Sequence, residues 1–237
     1  QSPSSAASDV YKRQESESIG FLLDEVINVM SFHKYNFELI VVNDGSKDNT
    51  HQVLKQLTLK IKELSVISLR KNYGQTAAMS AGFDNSKGDI IITLDGDLQN
   101  DPNDIPTLIS EINNGYDLIC GWRIDRKDKL INRKIPSKIA NKLIAHVTGL
   151  KLHDYGCSLK AFKKEIIDDI KLYGELHRFL PVLANIEGAR IKEIKVNHRS
   201  RQYGSSKYGI DRTFRVLMDL LTVWFMTKFL TRPMYGF

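Results

Sequence analysis

The stretch Asp89-Ile90-Ile91-Ile92-Thr93-Leu94 runs without interruption into Asp95-Gly96-Asp97-Leu98-Gln99. An apolar run of that length, rich in β-branched residues, fits a strand buried on both faces inside a parallel sheet. Two carboxylates spaced by a glycine then emerge at the strand's carboxyl end, where open α/β sheets place their ligands. Carboxylate and amide oxygens are hard donors suited to Mg²⁺ or Mn²⁺, ions that bridge a few protein oxygens to substrate phosphates. The residues therefore predict a divalent-metal site that holds a diphosphate.

The rest of the chain supplies the frame for such a strand. Strand-like runs at 38–42, 65–69 and 116–121 alternate with helix-like segments at 15–30, 51–59 and 76–81. This alternation is the signature of βαβ units and a mostly parallel, Rossmann-like sheet flanked by helices. Ser46 or Asp48 is placed to cap the second helix, and Gly82 to close the third. Asp101 and Pro102 carry the residue types of an N-cap and a first helical position. Past Trp122 the rhythm weakens: a helix is expected over 136–147, a strand over 158–162, a helix over 163–172 and an alternating strand over 190–196. At the start, 15–30 is a helix whose preceding strand is represented only by Asp9-Val10-Tyr11, so 1–14 reads as non-native or disordered, foreign to the domain that fills 15–211.

A chain of 237 residues, 42% hydrophobic, can bury one large core. Its net charge of +6 is too small to make nucleic acid the expected partner. The basic residues gather in 123–142 and 190–215, which suits a solvated face, an anionic substrate or an anionic membrane surface. Cys120 and Cys157 lack metal-ligand or redox spacing and point to a reducing compartment. Residues 1–14 lack the apolar core of a signal peptide, and no run of about 18 uncharged apolar residues is present. The segment 212–230 places Phe214, Leu217, Met218, Leu221, Trp224 and Phe225 among charged residues. It reads as a buried helix or as an amphipathic helix at a membrane interface, with 212–237 as a juxtamembrane region.

Individual polar motifs leave alternatives open. Asp44-Gly45 ends a strand and is either an ordinary Asx-type turn or a contact to a base or ribose. Asn72-Tyr73-Gly74-Gln75 precedes a helix of small residues and is either a turn or a pyrophosphate loop. No G-x-G-x-x-G and no Walker-type lysine is present, which disfavours dinucleotide and P-loop folds. Arg123, Arg133, Arg201 and Lys207 are candidate phosphate ligands, while Ser137 and Asn141 lie one helical turn apart. Gly204-Ser205-Ser206-Lys207-Tyr208 has the composition of a loop that folds over a ligand. The histidines show no metal spacing, and no nucleophile–His–carboxylate arrangement stands out.

In order along the chain, these segments resemble a family 2 glycosyltransferase of the GT-A fold, and more narrowly the polyprenyl-phosphate glycosyltransferases. The matching text is Val41-Val42-Asn43-Asp44-Gly45-Ser46-Lys47-Asp48-Asn49-Thr50, then Asn72-Tyr73-Gly74-Gln75-Thr76-Ala77-Ala78 and Leu94-Asp95-Gly96-Asp97-Leu98-Gln99-Asn100-Asp101-Pro102. Gly121-Trp122-Arg123, the segment 133–141, His177-Arg178-Phe179-Leu180-Pro181 and Arg201-Gln202-Tyr203-Gly204-Ser205-Ser206-Lys207-Tyr208 complete it. The resemblance implies a metal-dependent, inverting transfer of a sugar from a nucleotide-sugar to a polyprenyl phosphate. It implies nucleotide contacts at Asp44, Asn72 and Asp95, and a Mg²⁺ or Mn²⁺ ion at Asp95, Asp97 and Gln99. It places the catalytic work on Asp97, Arg123 and Arg133, and the phosphates of donor or acceptor on Arg123, Arg133, Ser137, Arg201, Ser206 and Lys207. The expected setting is the cytoplasmic face of a bacterial inner membrane, with a homo-oligomer as an option. The alternatives are a family 2 transferase acting on a sugar hydroxyl and a non-catalytic nucleotide-sugar-binding scaffold. Where the family opens with an apolar strand and a Pro-x-Tyr-Asn-Glu turn, this chain has Tyr11-Lys12-Arg13-Gln14-Glu15, which predicts an incomplete chain that is weakly active or inactive. Thr231-Arg232-Pro233-Met234-Tyr235-Gly236-Phe237 has the look of an approach to a transmembrane helix.

Overall fold

The computed structural model describes the backbone of 6–12 and residues 18–124, 144–146, 148–172, 174, 176–200, 218, 221–222 and 224–225. Seven strands form one sheet: β1 (Ala6–Lys12), β2 (Phe37–Asn43), β3 (Leu64–Ser68), β4 (Ile90–Asp95), β5 (Leu118–Arg123), β6 (Lys160–Lys163) and β7 (Ile191–Val196). The helices between them are α1 (Ile19–Phe32), α2 (Thr50–Thr58), α3 (Gln75–Asn85), α4 (Ile105–Asn113), α5 (Lys164–Asp169) and α6 (Leu180–Ile186).

Alternation along the strands assigns the two faces of the sheet. Leu39, Val41, Ile90, Ile92 and Leu94 pack with Ile19, Leu22, Leu23 and Val26 of α1, Leu54 of α2 and Ile105, Leu108 and Ile109 of α4. On the opposite face, Ile91, Leu118 and Phe162 meet Met79 and Phe83 of α3, Ile167 of α5 and Leu180 and Ala184 of α6. Both faces are covered, which is why β2 and β4 are apolar at successive positions and not at alternate ones.

The strand order is β3-β2-β1-β4-β6-β5-β7. Neighbours are parallel except around β6, which runs antiparallel to both β4 and β5. Reversal of β6 is what builds the site. Its first residue, Lys160, pairs with Thr93 and Cys120, so the loop leading into it lies at the carboxyl ends of β4 and β5. Thr93 Oγ1 donates to the Ser158 carbonyl at 2.7 Å and Gly121 N to the Leu159 carbonyl at 3.0 Å, fixing that loop in place.

Several elements differ from the sequence expectation. Helix α3 runs through Gly82, which is buried within it, and ends at Asn85 with Ser86 as its C-cap, so Gly82 is not a cap. Burial of Phe83 against Phe162, at 5.9 Å between rings, carries the helix past the glycine. The N-cap position of α2 is Asn49, not Ser46 or Asp48, and it makes no side-chain cap bond; Asp48, one residue earlier, accepts through Oδ1 from Thr50 N at 3.1 Å. Asp101 does cap the turn Pro102–Asp104, accepting from Asn103 N at 3.1 Å. The expected strand at 158–162 begins only at Lys160, and the helix at 163–172 is confined to Lys164–Asp169. Where the sequence offers only Asp9-Val10-Tyr11, the backbone of β1 pairs with both β2 and β4. A gap between two parallel strands demands a strand, even one written Ala-Ala-Ser-Asp-Val-Tyr-Lys. Of the helix expected over 136–147, residues 144–146 are helical and the remainder lies outside the described residues.

Candidate active site at the carboxyl ends of the strands

Asp95 closes β4 and Asp97 follows it, almost fully buried. Between them Gly96 accepts through its carbonyl from Ser18 Oγ at 3.2 Å. Asp97 Oδ1 accepts from Gln99 N at 3.2 Å, an Asx-type turn that carries Leu98 at φ +60°. A leucine in the left-handed region is uncommon, and such conformations collect where a turn is over-determined by its surroundings. Burial, and then the charge of Asp97, push the Asp95 carboxyl up to about 6, against the Ser158 hydroxyl, Arg123 and Lys160. Gln75 Nε2 reaches Asp95 Oδ1 at 3.4 Å, tying the start of α3 to this pair.

Two cations border the acidic pair. Arg123, the last residue of β5, donates from Nε to Asp154 Oδ2 at 2.7 Å and from Nη2 to Asp154 Oδ1 at 2.9 Å. Burial would lower its pKa, but Asp154 holds the guanidinium charged. Lys160 is buried, and its Nζ donates to the Cys157 carbonyl. Asn100 Nδ2 donates to Ser158 Oγ at 2.7 Å, joining the acidic turn to the loop before β6. Cys120 and Cys157 are free and buried, with thiols pushed up by burial to about 12 and about 11.

At the end of β2, Asp44 is fully buried. Its carboxylate accepts from Tyr73 N at 2.7 Å, from Gly74 N at 3.0 Å and from Asn72 Nδ2, whose amide also reaches the Asp44 carbonyl at 3.0 Å. The Asp44-Gly45 and Asn72-Tyr73-Gly74 segments are thus one unit. An open cleft of about 640 Å³ lies beside them, lined by Asn43, Gly45, Lys47, His51, Arg70 and Asn72 among others. Thr76 Oγ1 bonds His177 Nδ1 at 2.8 Å, fastening the start of α3 to the turn Leu176–Phe179.

Of the residues expected at the site, Asp95, Asp97, Gln99 and Arg123 gather around the carboxyl ends of β4 and β5. Asp44 and Asn72 meet at the end of β2. Arg133, Ser137, Arg201, Ser206 and Lys207 lie outside the described residues. The chain approaching Arg201 runs beside the acidic turn, with Arg199 N donating to the Gln99 carbonyl at 2.8 Å and Asn100 bridging to His198. Sequence reading missed Asp154, Ser158 and Lys160. Asp154 falls in an unremarked turn and Ser158 and Lys160 in the expected strand at 158–162, and only the antiparallel insertion of β6 reveals where they sit.

Among the described residues, no three His, Cys, Asp or Glu side chains cluster as a self-sufficient metal cage. Asp95, Asp97 and the Gln99 side chain fit the other kind of site, in which one or two carboxylates share an ion with substrate phosphates. Their oxygens are the hard donors that Mg²⁺ or Mn²⁺ prefer.

Known structures share this architecture. Glucosyl-3-phosphoglycerate synthase of Mycobacterium tuberculosis, solved with Mn²⁺, UDP and phosphoglyceric acid, superposes with a TM-score of 0.72 at 16% identity, over 93% of this chain and 78% of that one. A mannosyltransferase of Pyrobaculum calidifontis, solved with GDP-Man and Mn²⁺, gives 0.66 at 15% identity, over 94% of this chain and 63% of that one. These likenesses establish the GT-A fold. In sequence, the chain is 48% identical over 227 residues to dodecaprenyl-phosphate galacturonate synthase of Rhizobium johnstonii, covering 94% of this chain and 67% of that protein. It is 40% identical over 209 residues to undecaprenyl-phosphate 4-deoxy-4-formamido-L-arabinose transferase of Proteus mirabilis, covering 88% of this chain and 64% of that protein. The chain therefore spans about two thirds of the length of the curated relatives it matches. The family model described as Glycosyl transferase family 2 matches residues 10–171, and the chain belongs to that family.

Proposed function

We propose that this chain is the catalytic part of an inverting glycosyltransferase that moves a sugar from a nucleotide-sugar to a polyprenyl phosphate. The carrying observation is the pairing of the acidic turn Asp95-Gly96-Asp97, in which Asp97 is buried and Asp95 partly so, with the Arg123 guanidinium whose charge acts on Asp95. That arrangement suits a reaction in which two phosphate groups must be brought together. Relatives that act on polyprenyl phosphates, at 48% and 40% identity, support this choice of acceptor.

The donor's base and ribose would lie in the cleft beside Asp44 and Asn72, and its diphosphate over Asp95 and Asp97. A bound Mg²⁺ or Mn²⁺, held by Asp95, Asp97 and Gln99, would supply positive charge to the departing diphosphate. Arg123 would offer N–H groups to a phosphate oxygen, and Arg133, Ser137, Arg201, Ser206 and Lys207 are proposed to complete the phosphate contacts. Attack comes from an acceptor phosphate oxygen that is already ionised at neutral pH, so the chain needs no strong general base. Its work is to align two anions and offset their repulsion. A bacterial inner membrane, at its cytoplasmic face, is the proposed setting. Among the described residues no helix is long and apolar enough to cross a membrane. Met218, Leu221, Trp224 and Phe225 are helical and exposed, which supports a membrane-facing segment.

The test is transfer of label from a panel of radiolabelled nucleotide-sugars to membranes containing polyprenyl phosphate, with and without Mn²⁺. Organic-soluble label from at least one donor, lost on Asp97→Ala, is expected. No organic-soluble product from any donor would overturn the proposal, and label entering polysaccharide directly would favour a hydroxyl acceptor.

A further inference from the structure

We infer that Asp154, itself held by Glu193, is a positioning residue that fixes the Arg123 guanidinium so that one edge is left to receive a phosphate oxygen. The inference rests on the function proposed above only in taking phosphate as the group received.

The observation is a chain of short polar contacts that runs from β5 through the loop before β6 to β7. Arg123 and Asp154 meet fork to fork, at 2.7 Å and 2.9 Å, with side chains only 14% and 8% exposed. Arg123 N adds a longer contact to Asp154 Oδ2 at 3.4 Å. Asp154 is fixed in turn by its backbone, which donates to Glu193 Oε1 at 2.8 Å. His153 N donates to the same carboxylate at 2.9 Å and 3.0 Å, and His153 Nδ1 lies 2.7 Å from Glu193 Oε2. Trp122 stacks on the His153 ring at 4.0 Å, closing the outer side. Glu193 sits in β7 opposite Cys120 of β5, so the strand that carries Arg123 and the strand that carries its indirect support are direct neighbours.

The physical consequence concerns direction. A guanidinium has five N–H donors in a rigid plane. Asp154 takes the Nε–Nη2 edge, and among the described residues Nη1 makes no hydrogen bond. Pairing with Asp154 offsets the cost of desolvating the guanidinium, and it keeps the long side chain from sampling other rotamers. What remains is a pre-aimed donor beside Asp95, whose entropy of ordering has been met before ligand arrives. The oxygen received belongs either to the leaving diphosphate or to the acceptor phosphate.

The experiment uses the full chain as wild type, Arg123→Ala, Asp154→Asn and the double variant, with thermal midpoints as a folding control. Affinity for UDP and GDP with Mn²⁺ and affinity for undecaprenyl phosphate in detergent micelles are measured on each, together with transfer kinetics. Asp154→Asn is expected to weaken one phosphate ligand by about tenfold or more, the scale of misplacing a positioning group. Weaker nucleotide binding assigns the edge to the diphosphate; unchanged nucleotide binding with weaker lipid phosphate binding assigns it to the acceptor. In either case the double variant should be no worse than Arg123→Ala alone. Multiplying losses in the double variant, or unchanged affinities in a folded Asp154→Asn protein, would overturn the inference. Should Asp154→Asn fail to fold, Glu193→Gln must shift the same affinity in the same direction, and no shift overturns it. The binding measurements stand even if wild type makes no sugar-lipid, so failure of the proposed reaction and failure of the relay are separable.

Discussion

Gly45 turns the chain at the end of β2 with φ +63°, and a Cβ there would sit 2.4 Å from the Lys71 carbonyl carbon. Both constraints exclude other residues, because the positive φ strains an L side chain and the neighbour is backbone. Gly45→Ala is expected to cost about 1–3 kcal/mol of stability and to shift the Asn72–Gly74 unit that Asp44 holds, read as a lower thermal midpoint and weaker nucleotide binding. Asp95 gives a second prediction. Its carboxyl, raised to about 6, must ionise to hold a metal, so protons compete with the ion. Mn²⁺-dependent nucleotide binding should be flat above pH 7 and weaken by about tenfold per unit once pH falls well below 6, measured by titration calorimetry. For stability the sign is opposite: a raised carboxyl binds its proton more tightly in the folded chain, so it disfavours folding at neutral pH, and this penalty fades as pH falls through 6.

Around β5, β6 and β7 the sheet is pinned by one buried carboxylate. Asp117 Oδ1 accepts from Lys163 Nζ at 2.7 Å, and Oδ2 from Arg190 N at 2.8 Å and Nε at 3.3 Å. Burial alone would raise its pKa, but these donors together bring it down to about 2. A depressed carboxyl contributes stability that is complete above its unfolded value near 4 and is lost as pH falls through about 2. Asp117→Asn should therefore lower stability at pH 7 by about 2 kcal/mol, a difference that vanishes near pH 2 in denaturant titrations. The elements differed in how far sequence could reveal them. β2 and β4 were legible because burial on both faces makes them continuously apolar, and α4 because Asp101 and Pro102 announce it. The far end of α3 is hidden in sequence because Gly82, a residue type that often terminates helices, is carried through by the packing of Phe83. β1 was nearly invisible, since Asp9 and its neighbours carry no apolar pattern and only the pairing of β2 and β4 around it defines a strand.

Over the whole molecule, the acidic half of the site was readable from local text, because Asp95, Asp97 and Gln99 are adjacent in sequence. The basic half was readable only in part. Arg123 was identified, but Asp154 and Glu193, which aim it, lie 31 and 70 residues further on and join it through the strand order alone. Antiparallel β6 is the feature that local patterns do not encode, and it carries Ser158 and Lys160 to the acidic turn. The central claim is that the acceptor is a phosphate, and the nature of the bond formed tests it most directly. Organic-soluble product made from a labelled nucleotide-sugar should be a glycosyl ester of a lipid phosphate, whose anomeric C–O bond breaks in mild acid. Release of the label as water-soluble sugar under mild acid is the expected result. A lipid product that keeps its label through the same treatment would contradict the account.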